Sequence, residues 1–175
     1  LFGEDHLSIA NDLHNLGAIN YEKDNFKKAI DCFERSICIV KKRLGEDTNE
    51  EAETTFCIGN AYMKQRLFDK ALGYFHDALR KRRHILRNDR KQDNLSLLKT
   101  LNSIGDAHLA LFSYDAAMAA YREALGIVTK EKDEEGLEHA NCLEALGHVH
   151  RSKAEVGNAM SCYENALRIK KGILG

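Results

Sequence analysis

The chain has 175 residues, with 26 Lys plus Arg set against 27 Asp plus Glu and a formal net charge of −1. That balance gives no global pull towards nucleic acid or an anionic membrane, no apolar run approaches the roughly 18–20 residues of a membrane span, and no secretory signal opens the sequence. Five cysteines, an odd number outside any CxxC arrangement, argue against a disulfide framework and suit a reducing cytosol, and the absence of proline fits a chain that is almost wholly helical.

The first apolar stripe of period near 3.6 predicts a helix over 6–23. It holds Gly17 in its interior, where glycine costs about 0.5–1 kcal/mol relative to alanine. The break Lys23-Asp24-Asn25 ends it, and a second stripe predicts a helix over 25–44. The same sequence of events follows three more times. Helices are expected over 48–65 and 68–88 around Gln65-Arg66, and over 94–111 and 114–131 around Leu111-Phe112-Ser113. The last pair, 135–152 and 156–172, is split by Ser152-Lys153. The alternation of a half-buried strand is absent throughout.

Aligned without gaps, the four pairs share an aliphatic residue (Leu16, Ile58, Ile104, Leu146) followed by glycine (Gly17, Gly59, Gly105, Gly147). Alanine comes twelve residues later (Ala29, Ala71, Ala117, Ala159), and four further on stands an aromatic (Phe33, Phe75, Tyr121, Tyr163). A small residue follows (Ser36, Ala78, Ala124, Ala166), and the glycines are spaced by 42, 46 and 42 residues. This is an internal repeat. Breaks so short make the paired helices antiparallel neighbours. The glycine and the alanine are expected at their crossing, where small side chains let the axes come close, with the aromatic filling the space beyond. Leu13, Leu16, Gly17 and Asn20 are expected on the buried arc of the first helix.

The pattern of aliphatic-Gly, Ala, Phe/Tyr and Ala resembles the tetratricopeptide repeat, and its 42-residue period resembles the kinesin-light-chain-like form rather than the ordinary 34-residue one. "RLGED" at 43–47, echoed at 1–6, is similar to the linker of that subfamily; its His-Pro is absent, His6 being followed by Leu7. The second linker, "LRNDRKQDN", carries four extra residues, about one helical turn. The resemblance implies an all-α, right-handed α-solenoid of four antiparallel helix pairs, with units near 4–45, 46–87, 88–133 and 134–175. The chain starts and stops in one phase of the repeat without a polar cap, so a segment of a longer array is expected.

The resemblance also implies that the first helices of the pairs, the A helices, line a concave groove that takes a peptide. Stepping about 100° per residue from Gly17, the arc opposite the buried one holds Asn11, Asn15, Ala18 and Glu22, with His14 and Tyr21 at its edge. The same arc supplies Glu53, Phe56, Cys57, Asn60, Met63 and Lys64, then Lys99, Asn102, Ser103, Asp106 and Leu109, then Asn141, Glu144, His148, Arg151 and Ser152. Carboxamides both donate and accept hydrogen bonds and so suit an extended backbone, although asparagine is a poor helix former. Lys64, Lys99, Arg151 and Tyr21 are expected to add selectivity. Kinesin light chains take acidic peptides with tryptophan, but Glu53, Asp106 and Glu144 interrupt the basic residues here, so no ligand charge is indicated.

The expected function is therefore a cytoplasmic adaptor that binds a linear peptide motif of a protein partner. The alternative is a structural spacer or self-associating scaffold acting through helix B faces or array ends, and the oligomeric state stays open. No nucleic acid or membrane insertion is expected. The basic stretch 80–91 suits the carbonyl end of a helix, or else an acidic partner or a localisation receptor. Acidic 130–138 suits a solvated linker. Glu144 and His148, four apart, could supply two metal ligands, but no further pair completes a site, whereas His148 and His150 point apart. Cys32, Cys57, Cys142 and Cys162 read as small fillers. No Cys–His–carboxylate set, phosphate loop or dinucleotide motif is present, so neither enzyme activity nor a cofactor or metal is expected.

Overall fold

The computed structural model describes residues 6–88, 94–130 and 136–174. The expectations placed on residues 1–5, 89–93, 131–135 and Gly175 lie outside the described residues. Among the described residues there are eight helices and no strand: α1 (Leu7–Glu22), α2 (Phe26–Leu44), α3 (Asn49–Lys64), α4 (Phe68–Asn88), α5 (Leu95–Ala110), α6 (Tyr114–Lys130), α7 (Leu137–Ser152) and α8 (Val156–Leu174). Each expected bound that falls on a described residue lies within two residues of the observed one.

One turn is built four times. The residue after the cap of each A helix takes a left-handed conformation, with φ of 58° at Asp24, 61° at Arg66, 58° at Phe112 and 59° at Ala154. Its amide donates to the carbonyl three residues back, and the next amide reaches five residues back, as in Asp24 to Tyr21 (3.0 Å) and Asn25 to Asn20 (2.8 Å). This Schellman arrangement satisfies carbonyls that the helix end would leave open. The carbonyl of that second residue then accepts the first bond of the next helix, as in Ala29 to Asn25 at 3.0 Å and Ala159 to Glu155 at 3.0 Å. Two residues thus close one helix and open the next, which forces the pair antiparallel.

The chain divides into two compact units, Leu1–Asp93 and Asn94–Gly175. In the first, α1 packs on α2, α2 on α3 and α3 on α4. Ala29, Phe33 and Ile58 form its central cluster, flanked by Tyr21, Ile30, Ile37 and Cys57. In the second unit α5 packs on α6, α6 on α7 and α7 on α8. There the centre is Ala117, Met118, Tyr121, Leu146 and Val149.

The interior glycines have a different cause from the one expected. A Cβ on Gly17 would stand 2.5 Å from Cε1 of Phe33, and one on Gly59 would stand 2.5 Å from Cε1 of Phe75. On Gly105 it would meet Tyr121 at 2.4 Å, and on Gly147 Tyr163 at 2.8 Å. The aromatic ring occupies the place of the glycine's missing side chain, so the partners are glycine and aromatic rather than glycine and alanine. The buried arc of α1 is also narrower than expected. Leu13 and Gly17 are buried, but Leu16 is 50% exposed, unlike its repeat counterparts Ile58, Ile104 and Leu146. Asn20 is half-buried and donates to the Leu16 carbonyl at 2.8 Å.

Candidate protein-interaction face

The A-helix arc separates into residues engaged by their own helix B and residues left open. In α1, Asn11 and Asn15 are exposed and their side chains bond to no described residue, whereas His14 is tied to Thr54 of α3 at 3.0 Å. The His14 ring also packs on Phe33, centroids 5.4 Å apart. Tyr21 is half-buried against the core: its ring meets Phe26 edge-on at 5.9 Å, and burial raises its phenol pKa above the ordinary value. In α3, Asn60 and Met63 are half-buried and Lys64 is exposed. Phe56 packs on Phe75, with the guanidinium of Arg82 4.8 Å above its ring, and Arg82 bonds Glu53 at 2.5 Å.

In the second unit, Lys99 is exposed, and Asn102 is half-buried with an Oδ1 that has no hydrogen-bond partner among the described residues. Asp106 accepts from the Tyr121 hydroxyl at 2.5 Å. Although the residue as a whole is exposed, its carboxylate is turned in on that ring, and its pKa is raised by desolvation against the lowering effect of the Tyr121 hydrogen bond. His148 stands in the same relation to Tyr163, with 3.1 Å between Nδ1 and the hydroxyl. Arg151 is exposed, and Glu144 pairs with Lys170 at 2.7 Å. Glu144 and His148, the two candidate metal ligands, are thus engaged separately, each with α8.

Sequence reasoning did not connect these pairs, though a signal was present. The residue after each glycine is Ala18 or Asn60 where helix B carries phenylalanine, and Asp106 or His148 where it carries tyrosine. A hydroxyl near that position needs a polar partner, and a phenyl ring does not.

Two further features went unread. The first is Glu51, buried at 1% exposure, which faces Lys41 of α2 at 3.3 Å and Lys81 of α4 at 3.4 Å. Its other oxygen accepts from the Asp47 amide at 2.8 Å, and Thr48 caps α3 by accepting from the Glu51 amide at 3.2 Å. The Thr-x-x-Glu spacing of a capping box was the available signal. Lys81 and Arg82, expected to suit the carbonyl end of the helix or else an acidic partner, are buried and paired, while Arg80 bonds Asp47 and Asp77, each at 3.0 Å. The second is a cavity of about 410 Å³ framed by α1, α2 and α3, with Leu7, Ala10, Asn11, Val40, Leu44, Glu50 and Glu53 among its lining residues.

Among the described residues no group of three or more His, Cys, Asp or Glu is placed to hold a metal ion. No described helix is long and apolar enough to cross a membrane.

Comparison with known proteins places these features in context. Sequence models of the tetratricopeptide repeat match residues 13–50 and 57–89, 98–127, and 142–174. The chain is 23% identical over 175 residues to the secreted RxLR effector protein RXLR-C07 of Plasmopara halstedii, covering all of this chain and 53% of that one. It is 26% identical over 204 residues to protein kinesin light chain-related 3 of Arabidopsis thaliana, covering 95% and 31%. The chain therefore spans about half or less of the length of these curated relatives. Among solved structures, the nearly identical TPR-like repeats of a putative kinesin light chain from Podosopora anserina superpose with a TM-score of 0.82 at 16% identity, covering 97% of this chain and 78% of that one. The Rap conjugation gene regulator of plasmid pLS20 in complex with the Phr* peptide superposes with a TM-score of 0.71 at 19% identity, covering 96% and 43%.

Proposed function

From a chain that belongs to the tetratricopeptide repeat family, in its kinesin-light-chain-like form, and has that family's all-α solenoid fold, we propose a peptide-reading adaptor. The fold is that of a protein–protein interaction scaffold. The finer reading is that its A-helix faces hold a linear motif of a partner protein. One observation carries it: Asn11, Asn15 and Asn60 keep side-chain amides bonded to no described residue, while polar neighbours such as Glu53, Asp106, Glu144 and His148 are committed to helix B. An uncommitted carboxamide can pair with the backbone of an extended peptide whatever its side chains. Exposed Lys64, Lys99 and Arg151, with half-buried Met63 and Asn102, are the residues proposed to add selectivity. The five free cysteines suit a reducing cytoplasm as the place of action.

The test is an unbiased peptide-display selection on residues 1–175, repeated on Asn60→Ala and Asn102→Ala. Enriched peptides that bind the parent chain and lose at least tenfold in affinity on Asn60→Ala support the reading. Peptides indifferent to both substitutions would overturn it.

A further inference from the structure

We propose that the cavity framed by α1, α2 and α3 is an anchor subsite. It takes one aliphatic or aromatic side chain of a partner peptide that carries a lysine or arginine beside it. The proposal rests on the peptide-reading function above and deepens it by naming the chemistry of the ligand.

The cavity holds about 410 Å³, inside the range of roughly 300–1,000 Å³ typical of ligand clefts. Its apolar lining comes from Leu7, Ala10, Val40 and Leu44, of which Leu7 and Leu44 remain 39% and 47% exposed. Leucines left open beside a cleft favour an apolar occupant, since filling it removes their surface from water. The His14–Thr54 hydrogen bond and the packing of His14 on Phe33 fix the wall between α1 and α3, so the cleft is formed before a ligand arrives.

The lining includes two carboxylates, Glu50 and Glu53, and no described lysine or arginine. Glu53 shares Arg82 on α4, whereas the exposed Glu50 side chain bonds to no described residue. A cation beside the apolar anchor finds a partner here and an acidic residue does not. Charge therefore selects a basic flank, through the complementarity that sets specificity at interfaces.

The repeat explains why the cleft occurs at this junction. Forty-two residues on, Phe56 stands for His14, Ala78 for Ser36 and Arg82 for Val40. In α3 and α4 the larger Phe56 and Arg82 meet one another, the guanidinium 4.8 Å above the ring, although Ala78 is smaller than Ser36. In α1 and α2 the smaller His14 and Val40 leave the space open.

The test selects phage-displayed random twelve-residue peptides on the full chain and measures an enriched synthetic peptide by fluorescence polarisation. Enriched sequences are expected to place Leu, Ile, Phe or Trp next to Lys or Arg. Affinity should fall at least tenfold on Val40→Arg, a side chain the repeat already carries at Arg82, and on Glu50→Lys. Circular dichroism checks folding. Should Val40→Arg fail to fold, the exposed Glu50→Lys decides alone. Enriched peptides dominated by Asp and Glu, or binding unchanged within twofold on the folded variants, overturn the anchor subsite. If such peptides still lose affinity on Asn60→Ala, the peptide-reading function stands and only the subsite falls. No enrichment on the parent chain overturns both.

Discussion

Substituting Gly59 by alanine tests the glycine–aromatic contact that recurs in every repeat. Two opposing effects act. In a helix interior, glycine to alanine is favourable by about 0.5–1 kcal/mol on backbone grounds. Against this, the new Cβ would lie 2.5 Å from Cε1 and 2.6 Å from Cδ1 of Phe75, so atoms must part by roughly 1 Å to reach ordinary contact. Phe75 is fully buried and Phe56 packs on it with centroids 5.4 Å apart, which leaves the ring little room to retreat. Overpacking of this kind costs about 1–3 kcal/mol, occasionally more, and the double contact with a trapped ring places Gly59→Ala at the upper end. Gly73 provides the control. It lies in α4, exposed, with nothing within 4 Å of a built Cβ, so Gly73→Ala shows the backbone effect alone. Relative to Gly73→Ala, Gly59→Ala should be less stable by about 3 kcal/mol, a gap of roughly 6–12 °C in Tm for a chain of this size. Thermal and urea unfolding followed by circular dichroism measure both. Adding Phe75→Leu should recover part of the loss, a coupling that a double-mutant cycle isolates. Equal stability of Gly59→Ala and Gly73→Ala would refute the steric account.

Two further outcomes follow from features of the fold. Ala154 adopts φ of 59° in the last A-to-B turn, a region that costs an L-residue about 1–2 kcal/mol. Ala154→Gly should therefore raise stability by about 1 kcal/mol after the entropy of glycine is subtracted, and an unchanged or lower midpoint in urea would contradict the turn geometry. Burial is the main cause that pushes the Cys57 thiol pKa up to about 12 and that of Cys142 up to about 11. At pH 8 roughly one molecule in a thousand or fewer is a thiolate at either site, so alkylation by iodoacetamide should reach exposed Cys38 first and these two last, as read by mass spectrometry. The sign for stability is fixed: unfolded thiols ionise near 9, the folded ones higher, so this contribution is complete below pH 9 and declines as pH rises above it.

The helices and their turns were legible because both are written in local pattern. A 3.6-residue stripe fixes which residues are helical, and a break of two or three residues forces an antiparallel pair, so the bounds of α1 and α4 emerge to within a residue. Contacts between helices were not legible to the same degree. Stepping 100° per residue gives an azimuth, but not how far a neighbouring side chain reaches. Thus Phe33, four residues beyond the alanine assigned to the contact, is the one that covers Gly17. The same limit affected the interaction face. Asp106 and His148 share an azimuth with Asn60, yet the hydroxyls of Tyr121 and Tyr163 draw them towards helix B. The cleft beside Val40 was hidden for a related reason. It depends on side-chain volumes compared across repeats, at positions the shared motif leaves variable.

The carboxylate of Glu51 touches groups on both sides of its own helix. Lys41 approaches from α2 and Lys81 from α4, while the Asp47 amide ties down the linker between the two repeats. In a repeat protein, stability divides into what each unit holds by itself and what adjacent units lend each other, and the second part decides whether units melt singly or together. Net stability is not the main effect of such a buried ion pair. Lys81 belongs to the same helix pair as Glu51, whereas Lys41, 43% exposed, crosses to it from the preceding pair, so fraying of the first pair costs the second one ion pair. Lys41 and the Asp47 amide thus couple the two helix pairs of the first unit, and part of the stability of each is lent by the other.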